Sequence, residues 1–122
     1  MNKLVLFLLG LLLLSCQYES KKTPNNFRTG TFKTVLEDNA SESFATRNDS
    51  IQVETYNNKK DTFNIKWIGN FEYVLVKSNP KSLLDSTPFH VKITGVKKDS
   101  YSFKAYYKGS NFKQKGEAYK IE

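Results

Sequence analysis

Residues 27–122 predict an all-β fold, an antiparallel up-and-down meander of about eight strands. Three observations carry this expectation. From Phe27 onward the chain is rich in Thr, Val, Ile, Tyr and Phe, residue types that fit a pleated, half-buried surface. Apolar and polar residues alternate over short runs, the period of a strand with one face inward. Turn residues separate the runs at intervals that suit hairpins rather than long crossovers.

Arg28 to Leu36 is the first predicted strand. Glu42 to Thr46 and Ile51 to Tyr56 form a hairpin closed by Arg47-Asn48-Asp49-Ser50, and Asn57-Asn58-Lys59-Lys60-Asp61 is read as a turn. Thr62 to Ile68 puts Phe63, Ile65 and Trp67 on one face, and Gly69-Asn70 reverses the chain. In Phe71 to Val76 the face carrying Phe71, Tyr73 and Leu75 is backed by Val74 and Val76, which predicts a central strand. Pro80 to Asp85, between Asn79-Pro80 and Thr87-Pro88, is the only helix candidate and is expected to form one short turn or none. Phe89 to Val96 alternates until Gly95 breaks the phase, as at a bulge. Lys97-Lys98-Asp99 links it to Ser100 to Tyr107, whose inner set is Tyr101, Phe103, Ala105 and Tyr107. Lys108-Gly109-Ser110-Asn111 turns the chain into the closing strand, Phe112 to Ile121.

Strands in hairpin succession can close into a barrel without free edges. At this strand number the interior is filled by side chains or holds one small ligand. The short length of the domain favours a filled or half-open barrel, with a two-sheet sandwich as the alternative. The sole cysteine, Cys16, precedes the domain, so no internal disulfide is available. A packed core must hold the fold. The chain has 9 Phe, 7 Tyr and 1 Trp, and only Phe7 among them precedes residue 16.

The N-terminus reads as an export and anchoring signal. Met1-Asn2-Lys3 leads into an apolar run of 11 residues, Leu4 to Leu14, then Ser15-Cys16. A signal core needs about 7–15 apolar residues, whereas a membrane-crossing helix needs about 20. Residues 1–15 are therefore assigned as a lipoprotein signal peptide. Cys16, the first mature residue, is assigned as the lipidation site, modified by a diacylglycerol and further acylation such as palmitate. Two or more chains anchor a protein where one holds only marginally. Residues 16–26, polar and without periodicity, form the lipidated N-terminus and a flexible tether. The expected address is the cell membrane or outer membrane, exported, on the periplasmic or surface face.

Lys and Arg number 19 against 12 Asp and Glu, a net charge of +7. The lysines are scattered, with no run longer than the pairs Lys21-Lys22, Lys59-Lys60 and Lys97-Lys98. That pattern describes a solvated face, and no nucleic-acid partner is expected. His90 is the only histidine, so no histidine cluster can hold a metal. It falls on the polar face of its strand. No nucleophile elbow or glycine-rich phosphate loop occurs. Asp38, Glu42, Asp49, Glu54, Asp61 and Glu72 are spread over turns and strand faces. Arg47 and Glu72 could pair at a barrel mouth, although a hairpin ion pair on the surface is the plainer expectation. Tyr106-Tyr107 between Lys104 and Lys108 could stack on bases or sugars, but alternation sends only one tyrosine outward. These residues predict no catalytic, cofactor-binding or metal site.

From about Phe27 onward the chain resembles a family of small lipoproteins of flavobacteria and their relatives. The resemblance rests on Thr29-Gly30-Thr31-Phe32, Arg47-Asn48-Asp49-Ser50, Trp67-Ile68-Gly69-Asn70-Phe71-Glu72-Tyr73 with Leu75, Asn79-Pro80, Tyr101-Ser102-Phe103, and Gln114-Lys115-Gly116-Glu117-Ala118-Tyr119-Lys120. Phe71 stands where such relatives often carry a cysteine, so no thiol role transfers. The family has no established activity. A DNA topoisomerase name attached to some members has no support in a small exported domain. Gly30-Thr31-Phe32 also resembles the Gly-x-Trp opening of lipocalin-like barrels, with Phe in place of Trp. The resemblance implies a small lipocalin-like barrel. The functional expectation is a non-enzymatic envelope module, tied to the membrane through Cys16, that binds a small apolar ligand or another envelope protein. The alternative is an enzyme or enzyme inhibitor acting on envelope glycans or lipids, with Glu72, Asp49 and His90 as candidates.

Overall fold

The computed structural model describes residues 25–122. A 3-10 turn, Asn25–Phe27, precedes eight strands. They are β1 (Gly30–Leu36), β2 (Glu42–Arg47), β3 (Ile51–Tyr56), β4 (Lys59–Gly69), β5 (Glu72–Lys77), β6 (Phe89–Val96), β7 (Ser100–Tyr107) and β8 (Gln114–Lys120). Each pairs antiparallel with the next, and β8 pairs with β1 from Phe32↔Lys120 to Leu36↔Gly116. The result is a closed up-and-down barrel, the closed form of the expected meander rather than a half-open barrel or a sandwich. The signal peptide 1–15, Cys16 and tether residues 17–24 lie outside the described residues. Asn25 and Asn26, expected in the tether, instead begin the 3-10 turn.

The seam between β8 and β1 depends on a glycine. A Cβ on Gly116 would come within 2.7 Å of both the Phe103 ring and the Val35 carbonyl. Only a residue without a side chain lets β7, β8 and β1 approach this closely.

Several boundaries move from their sequence-based positions. The expected five-residue turn after Tyr56 shrinks to Asn57-Asn58, at φ 49° and 65°. Asparagine tolerates this left-handed region, and a two-residue turn of that kind matches strand twist. Lys59, Lys60 and Asp61 are thereby released into β4, where Asp61 pairs with Glu54. The bulge expected at Gly95 is present as a register shift between Ile93 and Gly95, and a second lies between Trp67 and Gly69. Residues 80–85 form turns rather than a helix: Asp85 accepts from the Lys81 amide and donates its own amide to Ser82 Oγ. β5 is not central, because a closed barrel has no centre and no edge. Val74 and Val76 are half-buried on its outer face.

The two ends of the barrel are built differently. At one end Phe27 and Phe32 are fully buried against Tyr101, with ring centroids 5.3 Å and 6.1 Å from it. Edge-to-face pairs add about 0.5–1.5 kcal/mol each beyond burial. The chain termini are laced over this end. The Lys120 ammonium donates to the Asn26 carbonyl, and the Thr31 amide to the Glu122 carbonyl. The opposite end, bounded by the β1–β2, β3–β4, β5–β6 and β7–β8 connections, is open.

Candidate functional site

Alternation along β2 turns Ser43, Ala45 and Arg47 inward. Arg47 is 4% exposed and forms the floor of the interior. Its Nη1 donates to the Phe27 carbonyl at 3.1 Å. Its Nη2 donates to the Tyr101 hydroxyl at 3.0 Å and the Tyr73 hydroxyl at 3.4 Å. The two hydroxyls are 2.8 Å apart. Burial pushes the Tyr73 phenol well above its usual pKa, so it remains neutral beside the guanidinium. The cation thus pins the 3-10 turn to β2, β5 and β7 and seals that end.

Above this floor lies a cavity of about 450 Å³, inside the ~300–1,000 Å³ range of small-molecule pockets. It has two unlike walls. Leu75, Phe89, Val91, Phe103 and Ala105 from β5, β6 and β7 make one side apolar. Gln52 and Glu54 from β3 and Asp61 from β4 make the other side polar. An adjoining recess of about 290 Å³ lies beneath the loop between β5 and β6 and shares Glu54, Asp61, Leu75, Phe89 and Gln114 with the cavity.

The polar wall has an ordered geometry. Arg47 pairs with Gln52 across β2 and β3, and Glu54 pairs with Asp61 across β3 and β4. Gln52 and Glu54, two residues apart, share the inner face. Gln52 is 3% exposed and its Oε1 has no hydrogen-bond partner; neither has Arg47 Nε. Burial raises the pKa of Glu54, the nearby Asp61 carboxylate raises it further, and Arg47 opposes both. Among the described residues no cation reaches ion-pair range of Glu54. Lys77 lies 3.6 Å from Asp61 and 3.6 Å from Asp85 in the β5–β6 loop, and is shared between them.

The residues singled out by sequence fall elsewhere. Arg47 and Glu72 do not pair, at a mouth or on the surface. Arg47 faces inward at the closed end, while β5 alternation turns Glu72 to the outer wall. There Glu72 meets His90 at 3.1 Å, and the His90 ring stacks on Tyr106 with centroids 5.4 Å apart. Asp49 sits exposed in the β2–β3 turn, so Glu72, Asp49 and His90 do not converge. Tyr106 points out beneath Lys113, and Tyr107, expected on the inner face, packs against Phe89 at the open end and remains 39% exposed, because β7 ends there and the barrel no longer covers it. Lys113, rather than Lys104 or Lys108, meets the outward tyrosine. Cys16 lies outside the described residues.

Gln52 as an interior group was missed, and Glu54 and Asp61 were seen only as scattered carboxylates. The reason is an inversion of pattern. In Ile51-Gln52-Val53-Glu54 the usual hydrophobic-inward reading hides Ile51 and Val53. The barrel does the opposite: Ile51 is 39% exposed and Gln52 is buried. On β2 the same reversal leaves Phe44 at 44% exposure while Ser43 and Arg47 face inward. Places where local pattern and tertiary structure disagree are where function is expected to reside. Among the described residues no group of three or more His, Cys, Asp or Glu side chains is placed to hold a metal ion. Comparison with protein families, with curated proteins and with solved structures finds no match to this chain.

Proposed function

We propose that this protein is a lipid-anchored envelope module that holds a small, largely apolar ligand inside its barrel. The observation that carries this reading is the cavity of about 450 Å³, open at one end and closed at the other by Arg47, Phe27 and Tyr101. An apolar ligand placed against Val91, Phe103 and Ala105 leaves water, at about 25 cal/mol per Å² of apolar area covered. Small Ala105, fully buried in the wall, leaves space that a larger side chain would fill. The anchoring half of the proposal rests on Leu4 to Leu14 followed by Ser15-Cys16. The described chain enters the barrel at its closed end through Phe27, opposite the mouth, which suits a binding site presented away from its attachment.

Two measurements test the proposal. Purified full-length protein is titrated with the neutral fluorophore N-phenylnaphthylamine. Enhanced, blue-shifted emission is expected, and it should weaken in Ala105→Leu, which fills the cavity while leaving the Arg47 floor intact. No emission change in the native protein overturns the ligand reading. Mass spectrometry of the cell-derived protein is expected to find acyl groups on Cys16. An intact, unacylated N-terminus overturns the anchor.

A further inference from the structure

The geometry points to a protonated primary amine on a compact apolar body as the ligand class, its ammonium seated against Glu54 and Asp61 with Gln52 Oε1 as a further acceptor. This rests on the reading of the cavity as a ligand site and adds the chemistry of the head group.

Three cations, Arg47, Lys59 and Lys77, and three carboxylates, Glu54, Asp61 and Asp85, surround the cavity and its recess, but none of the cations is within ion-pair range of Glu54. Glu54, Asp61 and Asp85 cluster around the cavity and its adjoining recess, and Lys77 alone is in ion-pair range of any of them, shared between the two aspartates. Neither a hydrogen-bond donor nor a cation of the described residues engages the Glu54 carboxylate. Glu54 is half-buried, and a carboxylate partly withdrawn from water without a partner bears part of the cost of burying a charge. A ligand that brings a cation removes that cost, and a neutral or anionic head does not.

Gln52 is a second and independent sign. Its side chain is almost wholly buried, lines the cavity, and its Oε1 is orphaned. Buried polar atoms in native structures normally have partners; Arg47 Nε on the facing residue is also without one and does not bond Gln52 Oε1, which leaves that oxygen on the cavity wall open to a ligand donor. Opposed residues in an antiparallel pair place their Cβ atoms about 4.5–5.5 Å apart, which is the relation of Glu54 to Asp61. Two residues along one strand face are about 7 Å apart, the relation of Gln52 to Glu54. An ammonium carries three N–H donors, and Glu54, the half-exposed Asp61 and Gln52 Oε1 line one wall of the cavity to accept them.

Every other charge facing Glu54 fits this assignment. On β2, Arg47 commits both terminal nitrogens to Phe27, Tyr73 and Tyr101, so its charge belongs to the floor. On β4, Lys59 lines the outer part of the cavity and pairs with neither carboxylate. On β5, Tyr73 is neutral and Lys77 is taken by the aspartates. Leu75, Phe89 and Val91 across the cavity receive the apolar body.

The test uses the purified full-length protein and three probes of equal chain length: n-hexylamine, n-hexanol and n-hexanoate. Binding is followed at neutral pH by ¹H–¹⁵N NMR shifts of β3 and β6 residues. Hexylamine is expected to bind about tenfold more tightly than hexanol, equivalent to ~1.4 kcal/mol, and hexanoate more weakly than either. Glu54→Gln is expected to bring the affinity for hexylamine down to that for hexanol measured in the same variant, and Asp61→Asn to reduce the preference. Thermal melting of each variant confirms that it is folded. Hexanol or hexanoate binding as tightly as hexylamine overturns the head-group assignment and leaves the cavity reading standing. No shift with any probe overturns both.

Discussion

The guanidinium carbon of Arg47 stands 4.2 Å from the centre of the Phe32 ring, and the same guanidinium donates to the backbone carbonyl of Phe27. One side chain from β2 therefore joins the first strand to the turn that precedes it. A buried cation of this kind is tolerated because its terminal nitrogens find oxygen acceptors and its flat face finds an aromatic ring. Among the described residues no carboxylate lies within ion-pair distance of it.

Replacing Arg47 with alanine removes that packing and leaves the buried Phe27 carbonyl without its donor. Arg47→Ala is expected to destabilise the barrel by about 3 kcal/mol. Arg47→Lys is expected to recover only part, since an ammonium cannot stack and fork at once. Urea unfolding midpoints measure both. An alanine variant as stable as the native chain would show that the closed end is held by the aromatic rings alone.

Glu54 holds a proton more tightly in the folded barrel than in the unfolded chain, because burial and Asp61 outweigh Arg47. Below the ordinary glutamate pKa both states are protonated and folding bears no penalty. Between the ordinary value and the raised one the folded state binds more protons, so stability declines as pH climbs through that window. Glu54→Gln removes the titration. The variant is expected to melt higher than the native protein at neutral pH and to show a flatter pH profile. A native-like slope in the variant would assign the dependence to another group.

Gly116→Ala is expected to cost about 2 kcal/mol, within the range for overpacking a close-packed site. The added methyl meets the Phe103 ring and the Val35 carbonyl across the seam where the barrel closes. Amide exchange should quicken first along the β1–β8 pairing, Phe32 to Leu36 against Gly116 to Lys120. Uniform exchange across all strands, or no loss of stability, would show that the seam adapts.

Much of the fold was legible in the chain because local pattern and tertiary environment agree there. β6 and β7 occupy the residues that their alternation assigns, Phe89–Val96 and Ser100–Tyr107. Tyr101, Phe103 and Ala105 face inward as that alternation requires. The break at Gly95 was visible as a lapse in period. The turn after Tyr56 was located but overextended, because lysines and aspartate resemble loop residues until two asparagines complete the reversal alone.

The polar wall was not legible for a reason of a different kind. Along Ile51-Gln52-Val53-Glu54 either face could be the inner one, and a shift of one residue exchanges every side chain between core and solvent. Ring closure removes that freedom. Once β8 pairs with β1, and Arg47 is held by Phe27, Tyr73 and Tyr101, the phase of β2 sets that of β3 through Arg47↔Gln52, and β3 sets Asp61 on β4 through Glu54. Sequence alone determined that the chain alternates, that it folds as successive hairpins and that it lacks a disulfide in its domain. Only the closed ring decided which of two opposite faces encloses the cavity, because register is a collective property of all eight strands and not of any one of them.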